Sequence, residues 1–263
     1  MELQLSDKTA LVTGGTAGIG LEIARTLATE HANVVITGRD QAKLDSAVAD
    51  IKASGGVSVR GVLGDAGTGE GVAAIIKAVP STDILINNLG IYESKAFGDI
   101  SDADWVRLFD VNVLSGVRLS RAYLPGMLER NQGRIIFISS ESALAIPHDM
   151  IHYATTKTAQ LSISRGLAQL TRGTNVTVNS VLPGPTRSEG IEAFLRSQAA
   201  DPSAPIKQIE AEFFATARSS SILQRMGEAE EIASLVAYLA SPRSSATNGA
   251  AIRAEGGLVN TIA

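Results

Sequence analysis

The chain reads as an α/β fold: one doubly wound, seven-stranded, mainly parallel sheet with helices on both faces. Three observations lead there. Short β-rich runs recur along the whole length. Several are apolar at nearly every position, as strands covered on both faces are. Helical periodicities fill the gaps between them. Such alternation builds a parallel sheet with right-handed crossovers. At 263 residues the chain is long for one domain, yet α/β folds of this size often stay undivided. Residues 1–263 are therefore expected to form a single domain.

The strands are expected, in order, at residues 9–14 (TALVTG), 33–38 (NVVITG), 57–65, 83–88 (DILINN), 134–140 (RIIFISS), 175–183 (NVTVNSVLP) and 250–255. Leu44, Val48 and Ile51, spaced i, i+4, i+7, mark a helix after the second strand. Trp105, Leu108, Phe109 and Leu119 mark a buried helical face, which Asn112 shares by spacing. Ile232, Leu235, Val236 and Leu239 repeat the pattern near the end. The rhythm breaks between Gly184 and Gly227, where only two helical patches appear, at 191–198 and 206–218, joined by the turn DPSAP at 201–205. An excursion of this length that starts at the C-terminal end of a strand reads as a substrate-binding lid over about residues 186–226, against the alternative of an inert surface insertion.

Composition narrows the function classes. Hydrophobic residues make up 44% and charged residues 19%, a globular rather than disordered balance. A net charge of −4 offers no electrostatic reason to bind nucleic acid or an anionic membrane. Cysteine is absent, which excludes disulfides, thiolate chemistry and Cys-ligated metal. Strand-like sequence from Thr9 leaves no room for a signal peptide, and no apolar run reaches the roughly 18 residues of a membrane span. A soluble, cytoplasmic protein is expected.

The first strand runs into Thr13-Gly14-Gly15-Thr16-Ala17-Gly18-Ile19-Gly20 and a helix bearing Ile23 and Leu27. A glycine-rich turn between strand and helix is the context a dinucleotide fingerprint requires. Gly14 would permit the tight turn, Gly18 the approach of a pyrophosphate, and Gly20 close helix packing. The helix N-terminus would supply N–H groups and partial positive charge to the phosphates. At the end of the second strand, Gly38 stands where an acidic residue would bind the 2′-hydroxyl of NAD, and Arg39 follows. That favours NADP(H), with NAD(H) as the alternative if Asp40 reaches the ribose instead. Asp65 closes the third strand, where its carboxylate could meet the adenine amino group. Asn88 and Gly90 close the fourth, where they could line the inner ribose.

Tyr153 and Lys157 lie four residues apart, about one helical turn, on one face of a helix. An ammonium one turn away favours the phenolate and draws a phenol, ordinarily near pKa 10, toward the working range. Ser139 and Ser140 end the fifth strand at the sheet edge where a nicotinamide would lie. His148 and His152, with Asp149 and Glu141, flank the same cleft, but their spacing is not that of a metal site.

The ordered set T13-G-x-x-x-G-I-G20, Asp65, N87-N-L-G90, Asn112, Ser140, Tyr153-x-x-x-Lys157, P183-G184 and Thr186 resembles the short-chain dehydrogenase/reductase family over nearly the whole chain. The resemblance implies a Rossmann fold and a catalytic tetrad of Asn112, Ser140, Tyr153 and Lys157, with Ser139 structural. Thr16, Ala17 and Ile19 would join the glycines around the cofactor. Pro183, Gly184 and Thr186 would contact the carboxamide side of the nicotinamide. In these roles Ser140 would hydrogen-bond the substrate oxygen and Tyr153 would exchange its proton. Lys157 would also hold the nicotinamide ribose, and Asn112 would anchor a water linking Lys157 to solvent. The implied activity is hydride transfer between a nicotinamide and a ketone or secondary alcohol, in a carbonyl reductase or alcohol dehydrogenase. A non-catalytic nucleotide sensor on this fold, or a redox-assisted epimerase or dehydratase, is the competing reading. The family also suggests a homotetramer, with small residues such as Ala159, Ser162 and Gly166 permitting close helix contact. Three positions depart from the family pattern: Leu89 for a small residue, Ala254-Glu255 for Val-Asp, and no basic residue at Ala17.

Overall fold

The computed structural model describes residues 2–56, 58–188 and 190–262. Strands β1 (Thr9–Val12), β2 (Asn33–Gly38), β3 (Val59–Leu63), β4 (Ile84–Asn87), β5 (Gly133–Ile138), β6 (Val176–Pro183) and β7 (Ala251–Ala254) form one sheet in the order β3-β2-β1-β4-β5-β6-β7. Every neighbouring pair is parallel. All seven expected strands are present; β2 has the expected bounds, β5 starts one residue early at Gly133 and ends at Ile138, and the others are trimmed. Val57, the expected start of the third, lies outside the described residues, as do Met1, Ala263 and Glu189 of the long excursion.

The intervening helices are α1 (Gly18–Thr29), α2 (Gln41–Ala53), α3 (Gly69–Ala78), α4 (Asp102–Phe109), α5 (Ser115–Glu129), α6 (Ile151–Leu170), α7 (Ile191–Gln198), α8 (Ile206–Ala215) and α9 (Ala229–Ala240). Because side chains alternate along a strand, Ala10 and Val12 of β1 face one core and Leu11 faces the other. The first core takes Ile23 and Leu27 of α1, Leu44 and Ile51 of α2, and Ile232, Val236 and Leu239 of α9. The second takes Ile75 of α3, Leu119 and Met127 of α5, and Ala168 of α6. The strand order reverses between β1 and β4, so their C-terminal ends open a crevice at the switch point.

Two features differ from the sequence pattern. Residues 105–119 are not one regular helix, because a single π-helical turn, Asp110–Leu114, separates α4 from α5. The wider turn rotates what precedes it, so Phe109 is exposed and Trp105 only half-buried, edge-on to His152. Leu108, Asn112 and Leu119 keep their buried places. In the excursion, α7 begins and ends at the expected residues while α8 stops at Ala215. Leu195, Ile209, Phe213, Phe214 and Met226 give this region a small core of its own. Among the described residues, no helix is long and apolar enough to cross a membrane.

Candidate active site

The glycine turn after β1 is tied down from the next strand. Gly14 and Gly18 have φ of 62° and 54°, a left-handed conformation glycine adopts without strain. Thr13 Oγ1 accepts from the Asn88 and Leu89 N–H groups at 3.0 Å, and Asn88 Nδ2 donates to the Thr13 and Gly14 carbonyls at 2.9 and 3.2 Å. Asn88 borders the cleft, but its amide works as a clamp on the turn. A Cβ at Gly20 would stand 2.3 Å from both Asn88 Nδ2 and the Gly14 carbonyl, so only glycine lets α1 seat here. Ala17, at the N-cap of α1, offers no side-chain cap, and the first turn holds no acidic residue, leaving an N-terminus suited to an anion.

At the end of β2, Gly38 leaves room for the Thr16 methyl, which a Cβ would approach to 2.6 Å. Arg39 and Asp40 are both exposed, but Asp40 is engaged: its Oδ1 caps α2 by accepting from the Lys43 N–H at 2.9 Å. Asp65 turns one oxygen onto the Gly67 N–H at 2.9 Å. Gly184 passes so close to Glu255 that a Cβ would meet its backbone at 2.8 Å, and Thr186 Oγ1 donates to the Gly184 carbonyl. Ile19, Asn88, Gly90, Pro183, Gly184 and Thr186 line the same cleft as Ser140, Tyr153 and Lys157.

Tyr153 and Lys157 share one face of α6, with Lys157 Nζ 5.7 Å from the Tyr153 ring centre. Lys157 is buried; its Nζ donates to the Ile138 carbonyl at 2.9 Å and to Gln160 Oε1 at 3.4 Å. Burial holds its pKa down to about 8, against the attraction of Glu141. The chain's own groups push the Tyr153 phenol up, first through burial and then through the negative charge of Glu141, with Ser140 and Arg218 pulling the other way. Lys157 spacing alone therefore does not make the phenolate. Tyr92 stacks edge-on against Tyr153 and Phe194.

Ser139 is buried and donates to the Lys157 backbone carbonyl at 2.9 Å, a structural tie. Ser140 lies on the cleft, donating to Glu141 Oε2 at 2.5 Å and accepting from the Ser142 N–H. Asn112 exchanges two hydrogen bonds with the Ile91 backbone, at 2.8 and 2.9 Å, and a third with Thr156 Oγ1 at 3.0 Å. Its own carbonyl accepts from Gln160 Nε2 at 2.5 Å. Asn112 and Lys157 are therefore joined through the buried side-chain amide of Gln160. Gln160, one turn beyond Lys157, carried no motif that would single it out. Glu141 and Arg218, paired at 3.6 Å beside Ser140, are the other residues sequence reasoning passed over as a pair. His148 is exposed and His152 is buried against Trp105. Among the described residues no three His, Asp or Glu side chains converge.

Residues 8–199 match the family model described as short chain dehydrogenase. The chain is 49% identical, over all of both sequences, to the uncharacterized oxidoreductase YvaG of Bacillus subtilis. It is 31% identical to the 3-oxoacyl-[acyl-carrier-protein] reductase FabG of Vibrio cholerae, over 97% of this chain and 99% of that one. The crystal structure of L-sorbose reductase from Gluconobacter frateurii superposes with a TM-score of 0.93 over all of both chains, at 30% identity. With its all-parallel sheet, glycine turn and Tyr153–Lys157 helix, the chain belongs to the short-chain dehydrogenase/reductase family.

Proposed function

We propose that the chain is an NADP(H)-preferring carbonyl reductase or alcohol dehydrogenase with Tyr153 as its general acid/base. The observation that carries this reading is convergence. Ser140, Tyr153 and Lys157 face one cleft at the C-terminal edge of the sheet, and the same cleft is lined by Ile19 of the uncapped α1 N-terminus. The residues present fit a dinucleotide: the turn is held open by glycines that a Cβ would fill, and the helix end suits a pyrophosphate. Arg39, exposed and next to an Asp40 carboxylate committed to capping α2, would hold a 2′-phosphate. In support, the G. frateurii L-sorbose reductase was solved with NADPH.

When bound, the nicotinamide donates or accepts the hydride. Ser140 Oγ hydrogen-bonds the substrate oxygen and stabilises its developing negative charge. Tyr153, kept protonated by its surroundings, delivers the proton in reduction and takes it back in oxidation. Lys157, with a pKa of about 8, sits where it can exchange a proton near neutral pH. Asn112 and Gln160 hold that ammonium in place. Residues 186–226 act as the lid, since Phe194, Phe213 and Arg218 from this excursion line the substrate side of the cleft.

The same reading takes the chain to work in the cytoplasm as a homotetramer. Exposed Val106 and Phe109 on α4 and Leu170 on α6 support a helix-face contact. A clean monomer in sedimentation at micromolar concentration would refute the assembly. The activity itself is tested by mixing the purified chain with NADPH and a panel of ketones, then measuring both loss of NADPH absorbance and the alcohol formed. Tight NADPH binding without turnover across the panel would point to a sensor. An isomerised or dehydrated product would point to redox-assisted chemistry.

A further inference from the structure

The hydride-transfer reading leaves one charged pair in the cleft without a task. Glu141 is buried, at 4% exposure, and its carboxylate lies directly against the catalytic serine. Oε2 accepts from Ser140 Oγ at 2.5 Å, and Oε1 accepts from Ser142 Oγ at 3.3 Å. Arg218, from the lid excursion, brings its Nε to 3.6 Å from Oε1. Its guanidinium is stacked over Phe213 and braced by donation from Nη1 to the Ala217 carbonyl. Among the described residues, Arg218 Nη2 has no hydrogen-bond partner. Both Glu141 and Arg218 line the cleft with Ser140 and Tyr153.

A buried ion pair costs solvation that its mutual attraction does not fully return, and packing alone would be served as well by apolar side chains. Here the pair also interferes with the serine. A hydroxyl carries a single hydrogen, and Ser140 spends it on Glu141 rather than on a substrate carbonyl. A ketone with only hydrocarbon beside its carbonyl does nothing to change that, and it places apolar atoms against a carboxylate. A ketone with a hydroxyl on the adjacent carbon does change it. That hydroxyl can donate to Glu141 in place of Ser140 and accept from Arg218. The Ser140 hydrogen then turns to the carbonyl oxygen, where negative charge develops.

We infer that the site is built for a carbonyl flanked by a hydroxyl, an α-hydroxyketone in reduction or a vicinal diol in oxidation, with Glu141 and Arg218 reading that hydroxyl. The inference rests on the proposed hydride-transfer function of the same cleft. Because the substrate hydroxyl releases the serine, the preference falls on kcat as well as on KM. A neutral polar substrate suits the pair, whose charges cancel; a carboxylate in the hydroxyl's place would be repelled by Glu141.

The test compares acetoin with butanone, which differ only in the adjacent hydroxyl, using NADPH and the intact chain. The wild type is expected to favour acetoin by about 100-fold or more in kcat/KM, with much of the difference in kcat. Glu141→Ala should cut the preference to less than about tenfold. Glu141→Gln keeps the volume and an acceptor, so it remains informative if the alanine variant folds poorly, and it should lower the preference at least about tenfold. Equal turnover of the two ketones by the wild type would overturn the inference while leaving carbonyl reduction standing. So would a preference that survives in Glu141→Gln. Failure to reduce any ketone while NADPH binds would overturn both.

Discussion

On the proposed reading, cofactor choice rests on two neighbouring side chains at the end of β2, and they can be separated. Asp40 Oδ1 accepts from the Lys43 N–H at 2.9 Å and caps α2. Turning that carboxylate toward a ribose would forfeit the cap, at about 1 kcal/mol. Arg39 is exposed and carries the only positive charge at the junction of β2 and α2 before Lys43. A charge-assisted contact between guanidinium and phosphate contributes about 1.5–3 kcal/mol; for an exposed group the lower end applies. Arg39→Ala should therefore raise the Kd for NADPH by about 10- to 30-fold and leave NADH within about twofold. Added salt should narrow the wild-type gap between the two cofactors, because the contact is solvent-facing. Asp40→Asn preserves the cap, since asparagine serves there as well as aspartate, and should change neither affinity by more than about twofold. Fluorescence titration with each cofactor measures both. Equal weakening of NADPH and NADH in Arg39→Ala, or selective loss of NADH in Asp40→Asn, would refute the reasoning and hand the ribose to Asp40.

Three further outcomes follow from the geometry. Gly20→Ala puts a Cβ 2.3 Å from the immobile Gly14 carbonyl, so α1 must retreat by about an ångström; we expect about 2 kcal/mol lost in urea unfolding and at least about tenfold weaker NADPH binding. Gln160→Leu strips the Asn112 carbonyl and Lys157 Nζ of a shared partner; kcat should fall about tenfold with the KM for NADPH little changed, and an unaltered kcat and pH profile would leave Gln160 merely structural. Lys157 has a folded pKa of about 8, below its ordinary 10.5. The unfolded chain thus binds more protons between those values, and wild-type stability should rise with pH across that window by ~3 kcal/mol, a rise absent in Lys157→Met.

Much of this was legible in the sequence because it is local. Apolar runs with short period mark the strands, the glycine turn is contiguous, and Tyr153 and Lys157 sit one turn apart on a long regular helix. What the sequence concealed depends on other elements. The π-helical turn at Asp110–Leu114 breaks the 3.6-residue period, so Phe109 is counted inside and is found outside. Asn88 lines the cleft, but nothing in its own segment shows that its Nδ2 also clamps the Thr13 and Gly14 carbonyls, which come from a different strand's turn. Glu141 and Arg218 meet only because the long excursion brings Arg218 back against the segment that follows β5, and no pattern in either segment announces the other. Gln160 looks like an ordinary helix residue until Asn112 arrives from a neighbouring helix.

Tyr153 is the residue on which the proposed chemistry depends. Tyr153→Phe keeps the ring that packs against Tyr92 and removes only the phenolic hydroxyl. With a ketone that the wild type reduces, single-turnover loss of NADPH absorbance should slow by at least about 100-fold, while NADPH titrated by fluorescence binds with nearly unchanged affinity. Full-rate reduction by the phenylalanine variant would contradict the claim that this phenol is the acid/base.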